Sequence, residues 1–486
     1  TIDLTHPSEN KGKLGIKLTN RGGGIGKVVV WINGKEVETD VRGKKIKTNV
    51  EELEINYTIQ DHPYIKPGEL NIIEVKAYNK EEYLVSQGKK IYFLADGIKK
   101  EPGLYALVAG SSNYSGDALD LNYAAKDAED FANALGLVGN KFFGEDKVDI
   151  RLLTTEQEEF INWPTKENIE RNFKEISTTA SPFDVFVVYL SGHGTSYGGS
   201  EGDFYYLTSD AASGTLTDPV VREQVAISSE EFIEYFKWVP ALKQVMILDA
   251  CHSGQLAEDL LAKRESRSSA EIRALERMKD RTGMYVLAGS AADAVSYETS
   301  IYGQGLLTYS LLLGMKGASL RENKFVDVMQ LFQFAADKVP ELAKDIGGIQ
   351  KPEVRVPYGG QSFDIGMVNE EIQNKIKLPS PKPLFLRSSF SDENSFDDHL
   401  RLSELLDELF ADQQANGGRS QVIFIDAARF TGAYSLKGRY VKQGYDYLVQ
   451  VRLFKGDDAI NKFEVEGSDS SEIAKKIIEK ALREIE

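Results

Sequence analysis

The sequence predicts a multidomain chain: a central α/β layered sheet with helices on both faces (residues 98–368), a β-sandwich before it (1–97) and a small α+β unit after it (369–486). Three observations carry this. Residues up to 97 alternate apolar and polar with a period of two. From 98 onward, short continuously apolar runs interleave with segments of helical period. After 369, isolated strands are bracketed by two charged helices.

The first strands are "KLGIKLTN", "KVVVWINGKEVE", "ELEINYTI", "LNIIEVKAYN" and "LVSQGKKIYFL", with a hairpin signal at Asn33-Gly34. The pattern reads as a small antiparallel sandwich and resembles the immunoglobulin-like modules of bacterial multidomain proteins. The run "RGGGIGKVVV" looks like a phosphate-binding loop, but Arg21 stands where its first glycine belongs and Val28 where its Ser/Thr belongs. Those glycines are therefore read as a strand-turn-strand.

In the middle segment "GLYALVAG", "KVDIRLLT", "DVFVVYLSG", "QVMILDA" and "MYVLAGS" are strands buried on both faces. The helices are "NYAAKDAEDFANALG", "TKENIERNFKEIS" and "SSEEFIEYFKWV", with caps expected at Thr165 and Ser228. Further on, "GQGLLTYSLLLGMKG" and "KFVDVMQLFQFAADKV" read as amphipathic helices, and "QSFDIGMV" as the closing strand. Active sites of such sheets lie at the carboxyl ends of the strands, where "SGHG" and "DACHSG" fall. The stretch 255–282 is dense in Lys and Arg but balanced by acids, and reads equally as two solvated helices or a processing loop. In the last segment "LPSPKPLFL" is a linker, "DDHLRLSELLDELFADQ" and "SSEIAKKIIEKALREIE" are helices, and "SQVIFIDAARF", "AYSLKGRYV" and "DYLVQVRLFKG" are strands. It suits an interaction module.

Composition narrows the function. A net charge of −17 and a pI near 5.0 exclude a protein held on nucleic acid by phosphate contacts and favour a basic peptide as partner. No run approaches the roughly 18 apolar residues of a membrane span. The opening "TIDLTHPSEN" is neither a signal nor a transit peptide, and starting on Thr1 suggests a processed or excised piece. One cysteine excludes an internal disulfide framework and a multi-Cys zinc site, so a reducing cytoplasm is the expected compartment. A monomer is the expected state.

That cysteine, Cys251, stands at the end of "QVMILDACHSGQ". A thiol is only a few per cent ionised at neutral pH, so a nucleophilic one needs a base nearby. His252 is adjacent, but neighbouring side chains on an extended chain diverge. His193, 251 − 193 = 58 positions upstream at the end of "DVFVVYLSGHG", is the better base, with Gly192 and Gly194 allowing close approach on either side.

"YLSGHG" followed by "ILDACHSGQ", with "AGSSNYSGDALDLNYAAKDAEDFANAL" before them, resembles the His and Cys blocks of the caspase-like clan of cysteine peptidases, nearest its bacterial caspase-homologue and metacaspase branch (orthocaspase type). The resemblance covers roughly 103–368 and implies a caspase-haemoglobinase-like fold. It implies Cys251 as nucleophile, His193 as general acid/base without a third side chain, and the backbone N–H groups of Cys251 and Gly194 as the oxyanion hole. It also implies that Asp127, Asp249 and Ser191 line the primary pocket. Animal caspases place arginines and a Gln there and cut after Asp. Here Asp249 stands at the Gln position and Leu121 near an arginine position, so cleavage after Arg or Lys is expected.

Such a preference turns Lys263, Arg264, Arg267, Arg273, Arg277, Lys279 and Arg281 into expected self-cleavage positions. Many metacaspases need calcium, held in an Asp-rich loop, whereas "TSYGGSEGDFYYLTSD" offers only Glu201, Asp203 and Asp210, so no metal or other cofactor is expected. The expected partners are peptides or proteins with exposed Arg or Lys, and a regulatory protein on the flanking modules; nucleic acid and membrane are not. The alternative is a catalytically silent member of the fold acting as scaffold or adaptor.

Overall fold

In the computed structural model the described residues before 97 form β1 (Ile2–Thr5), β2 (Lys13–Thr19), β3 (Val28–Ile32), β4 (Lys35–Glu38), β5 (Glu52–Thr58), β6 (Leu70–Ala77) and β7 (Lys89–Leu94). They form two antiparallel sheets, β1-β2-β5 and β4-β3-β6-β7. Leu14, Ile16, Val28, Val30, Ile73 and Val75 meet in a shared core. Asn33 and Gly34 turn β3 into β4 with φ of 53° and 87°, the left-handed pair that a tight hairpin needs. Residues 1–9, 11–43, 48–198, 202–214, 216–252, 269–289, 298–299, 302–345, 350–378, 382–415, 422–430 and 432–485 are described.

The chain continues through β8 (Leu104–Gly110), α1 (Ala124–Phe143), β9 (Val148–Thr154), α2 (Lys166–Thr179), β10 (Val185–Tyr197), β11 (Asp203–Leu207), α3 (Pro219–Val225), β12 (Ala226–Ser228), α4 (Ser229–Trp238), β13 (Lys243–His252), α5 (Ser269–Thr282) and β14 (Tyr285–Ala288). Strands β9, β8, β10, β13 and β14 are parallel neighbours in that order. The sheet is mixed, because β11 pairs antiparallel with the far end of β10 and β12 with β11. Thr165 caps α2 and Ser228 caps α4, the latter in a reciprocal box with Glu231. Ile169, Phe173, Phe232, Phe236, Ala274 and Met278 of α2, α4 and α5 pack on Phe186, Val188, Met246 and Leu248. The alternate residues Val187, Tyr189, Val245 and Ile247 are as completely buried, which is why these strands read as continuous apolar runs.

Contacts divide the chain into two units: Thr1–Leu121, Phe143–Ala288 and Val354–Gln361 make the first; Asn122–Phe142, Gly289–Glu353 and Ser362–Glu486 the second. The N-terminal strands share a unit with the α/β sheet. Polar contacts join them. Lys35 of β4 is wholly buried, and its ammonium donates to the carbonyl of Phe236 at 2.8 Å and to those of Val239 and Ala241, closing the carboxyl end of α4. It also lies 4.6 Å from the centre of the Tyr64 ring. Beside it, Glu36 accepts from Lys237 Nζ at 2.6 Å and from Arg281 Nε at 3.1 Å.

The second unit holds β15 (Glu298–Thr299), β16 (Gln304–Gly305), α6 (Leu306–Leu313), β17 (Phe325–Asp327) and α7 (Val328–Asp345). After β18 (Glu353–Arg355), which extends the α/β sheet beyond β14, come β19 (Asp364–Met367), α8 (Glu370–Lys375), β20 (Leu384–Leu386), β21 (Ser389–Asp392) and α9 (Leu402–Ala415). The chain closes with β22 (Ile423–Ile425), β23 (Tyr434–Gln443), β24 (Asp446–Lys455), β25 (Asp458–Gly467) and α10 (Ser470–Arg483). Leu402, Leu406 and Phe410 of α9 and Ile473 and Ile477 of α10 share a core with Leu436, Val449 and Val451.

Of the two readings of 255–282, residues 269–282 follow the helical one. Three expectations are corrected. Every residue of α6 is buried, so that helix is not amphipathic. The "QSFDIGMV" strand, β19, pairs antiparallel with β17 and does not close the α/β sheet. Leu384–Leu386, read as linker, is a strand paired with β22.

Candidate active site

The parallel register of β10 and β13 sets His193 opposite Cys251, Ser191 opposite Asp249 and Gly194 opposite His252. Residues 58 positions apart in sequence thus stand on one rung of a ladder whose strands are about 4.8 Å apart. The pairing follows from two apolar runs of matched burial, each ending in polar residues at the same edge of the sheet.

His193 occupies a change of neighbours along β10. On one flank β8 ends with Gly110 opposite Ser191, and β11 takes over with Tyr206 opposite Gly194. Between them the backbone N–H of His193 donates to the hydroxyl of Tyr114 at 3.0 Å. The Tyr114 ring centre is 5.3 Å from that of the imidazole. Nε2 of His193 lies 2.8 Å from the carbonyl oxygen of Leu119. A carbonyl can only accept, so Nε2 carries the hydrogen and Nδ1 keeps the lone pair of the neutral ring. The imidazole is thereby held at Nε2 by the loop after β8.

Both contacts come from the loop after β8, and that loop is closely tied. Thr155 Oγ1 accepts from the N–H groups of Ser112 and Asn113 at 3.0 and 3.1 Å, and Asp120 accepts from the Tyr114 N–H at 2.8 Å. The Ser115 N–H donates to the Ser209 carbonyl, and that of Leu121 to Ser112. Tyr114 and Leu119 bury their side chains with Leu207, Ala211 and Leu216. The glycines flanking His193 are needed for space. A Cβ on Gly192 would lie 2.7 Å from the Tyr114 hydroxyl, and one on Gly194 2.6 Å from a Phe204 ring carbon.

Of the expected site residues, the first unit brings His193, Cys251, Ser191, Asp249 and the backbone of Gly194 together on adjacent strands. Ser191 and Asp249 are both buried, and the Ser191 carbonyl accepts from the Ser111 N–H and the Tyr206 hydroxyl, each at 3.1 Å. Asp127 belongs to the second unit, where its carboxylate oxygens accept from the Gly305 N–H at 3.0 and 3.2 Å at the start of α6. Leu121 is half-buried against the Tyr114–Leu119 cluster. Sequence reasoning missed Tyr114 and the Leu119 carbonyl. The tyrosine in "SSNYSG" just past a strand end was an available signal; a carbonyl gives none, since every residue has one.

Lys263, Arg264 and Arg267 lie outside the described residues. Arg273, Arg277, Lys279 and Arg281 are all on α5. Arg277 donates to Asp203 at 2.7 Å and to Glu230 at 3.0 Å, and Arg281 pairs with Glu36, Glu230 and Glu234. Asp203 is bound by Arg277 and Ser229, Asp210 accepts from the Lys166 N–H, and Glu201 lies outside the described residues. Among the described residues no group of three His, Cys, Asp or Glu side chains could hold a metal ion.

A mixed α/β sheet that carries a histidine held at Nε2 and the chain's single cysteine on one rung defines a class of thiol-histidine sites at strand ends. The caspase-domain profile matches residues 104–357, more than half of the chain, and the chain belongs to that family. It is 30% identical over 152 residues to Metacaspase-1 of Meyerozyma guilliermondii, covering 31% of this chain and 35% of that protein. It is 24% identical over 193 residues to Metacaspase-1 of Eremothecium gossypii (38% and 41%), and 28% over 148 residues to Metacaspase-4 of Arabidopsis thaliana (30% and 33%). The matches span about a third to two-fifths of these relatives.

Proposed function

We propose that the protein is a cysteine endopeptidase that cleaves after Arg or Lys. The observation that carries this is the His193–Cys251 rung, with Nε2 of the imidazole committed to the Leu119 carbonyl. In this reading Nδ1 of His193 takes the thiol proton. The Cys251 sulfur attacks the scissile carbonyl, and the N–H groups of Cys251 and Gly194 hold the oxyanion. The imidazolium then protonates the leaving amine, and water activated by the neutral ring hydrolyses the thioester. Asp249, with Ser191 opposite it on the next strand, supplies negative charge for a basic side chain; Asp127 enters the same proposal on the resemblance alone. Self-cleavage at Lys263, Arg264 or Arg267 belongs to the same proposal.

Fluorogenic peptides ending in Arg, Lys, Asp or Ala, offered to wild type and Cys251→Ala with and without calcium, test it. Release after Arg or Lys that vanishes in Cys251→Ala supports the reading. Preference for Asp, or turnover that survives Cys251→Ala, overturns it.

A further inference from the structure

We propose that Tyr114 is a positioning residue for His193. Where β10 exchanges β8 for β11, the Tyr114 hydroxyl takes the His193 N–H at 3.0 Å. The same loop supplies the Leu119 carbonyl that holds Nε2 at 2.8 Å. The histidine is thus gripped at two atoms, one on its backbone and one on its ring, by a single loop bonded to Thr155, Ser209 and Asp120. The space the hydroxyl needs is reserved by Gly192, whose Cβ would approach it to 2.7 Å. Loss of the hydroxyl leaves the His193 N–H without that acceptor at the seam and lets the imidazole shift relative to Cys251. Thiolate formation depends on that placement, because a nearby imidazolium is what stabilises the charged sulfur at neutral pH.

The kinetic part of this inference rests on the peptidase reading; the thiol part does not. Cys251 is the only cysteine in the chain, so iodoacetamide alkylation of wild type and Tyr114→Phe reports its ionisation without any peptide. At pH 6.5 the variant is expected to alkylate about tenfold more slowly, the effect of one hydrogen bond to the site. The gap should narrow toward pH 9.5, where an ordinary thiol is mostly ionised without help from a neighbouring imidazolium. With peptides kcat is expected to fall by about the same factor while KM holds. Thr155→Val, which loosens the loop that carries Tyr114 while keeping its own shape and every ring, is expected to show the same pH signature and covers the case in which Tyr114→Phe folds poorly. Superimposable alkylation profiles, or profiles separated by a constant factor at every pH, overturn the positioning role. A wild type that cuts no peptide yet shows the Tyr114-dependent profile overturns the peptidase reading and leaves the positioning role standing.

Discussion

Glu36 and Lys237, 201 positions apart, form an ion pair at 2.6 Å with both side chains buried. Breaking such a pair leaves the buried Lys237 ammonium with the longer, 3.5 Å contact to the exposed Glu234. Glu36→Leu is therefore expected to destabilise the protein by about 3 kcal/mol, and Lys237→Met added to it to recover part of the loss. Urea unfolding of both single variants and the double variant checks this; additive losses would show that the pair is not coupled.

His62 gives the first unit a pH dependence. Burial, with a smaller effect from the Lys35 ammonium, lowers its pKa to about 4. The folded protein therefore keeps this ring neutral where the unfolded chain, titrating near 6.5, already binds a proton. Stability from this group is present above pH 6.5 and is lost as pH falls toward 4, by on the order of 2 kcal/mol. Denaturation of wild type and His62→Phe between pH 4 and 7 should give curves that diverge over that window; parallel curves would remove His62 as the cause.

Asp127 can be separated into two roles. Asp127→Asn keeps an oxygen to accept from the Gly305 N–H, so its melting temperature should stay close to wild type, whereas Asp127→Ala loses that bond and about 1 kcal/mol. If the carboxylate also recognises a basic substrate, Asp127→Asn should lower kcat/KM for Arg peptides at least about tenfold. Unchanged kinetics in Asp127→Asn would confine the residue to holding α6.

The cleavage map follows from α5. Arg277 and Arg281 are tied to Asp203, Glu230 and Glu36 on a formed helix, and a peptidase needs its substrate extended. Any cuts in purified protein should fall at Lys263, Arg264 or Arg267 and be absent from Cys251→Ala. Mass spectrometry of the fragments checks this, and a cut at Arg277 or Arg281 would contradict it.

The rung of His193 and Cys251 was legible because two long apolar runs end in polar residues, and burial on both faces admits few other readings of them. The caps at Thr165 and Ser228 and the Asn33-Gly34 turn were legible for similarly local reasons. Lys35 was not: a lysine beside a hairpin turn normally faces water, and only the distant carbonyls of α4 make its burial tolerable. Residues 269–282 had helical period, but their charge balanced that reading against a loop until Asp203, Glu230 and Glu36 supplied partners. β25 was missed because "DDAINKFEVEG" has too few apolar residues to read as a strand, and its pairing with β24 outweighs that composition.

The Lys35 plug bears on how truncation experiments are to be interpreted. A shortened protein beginning near residue 98 would uncap α4 and strip Lys237 and Arg281 of Glu36, leaving them Glu234. It would also bare the surface on which β4 rests. Inactivity of that fragment would then report a damaged catalytic unit, and could not be taken as proof that the N-terminal strands recruit substrate or transmit a signal. Point changes that leave the seam intact are the cleaner way to ask what those strands do.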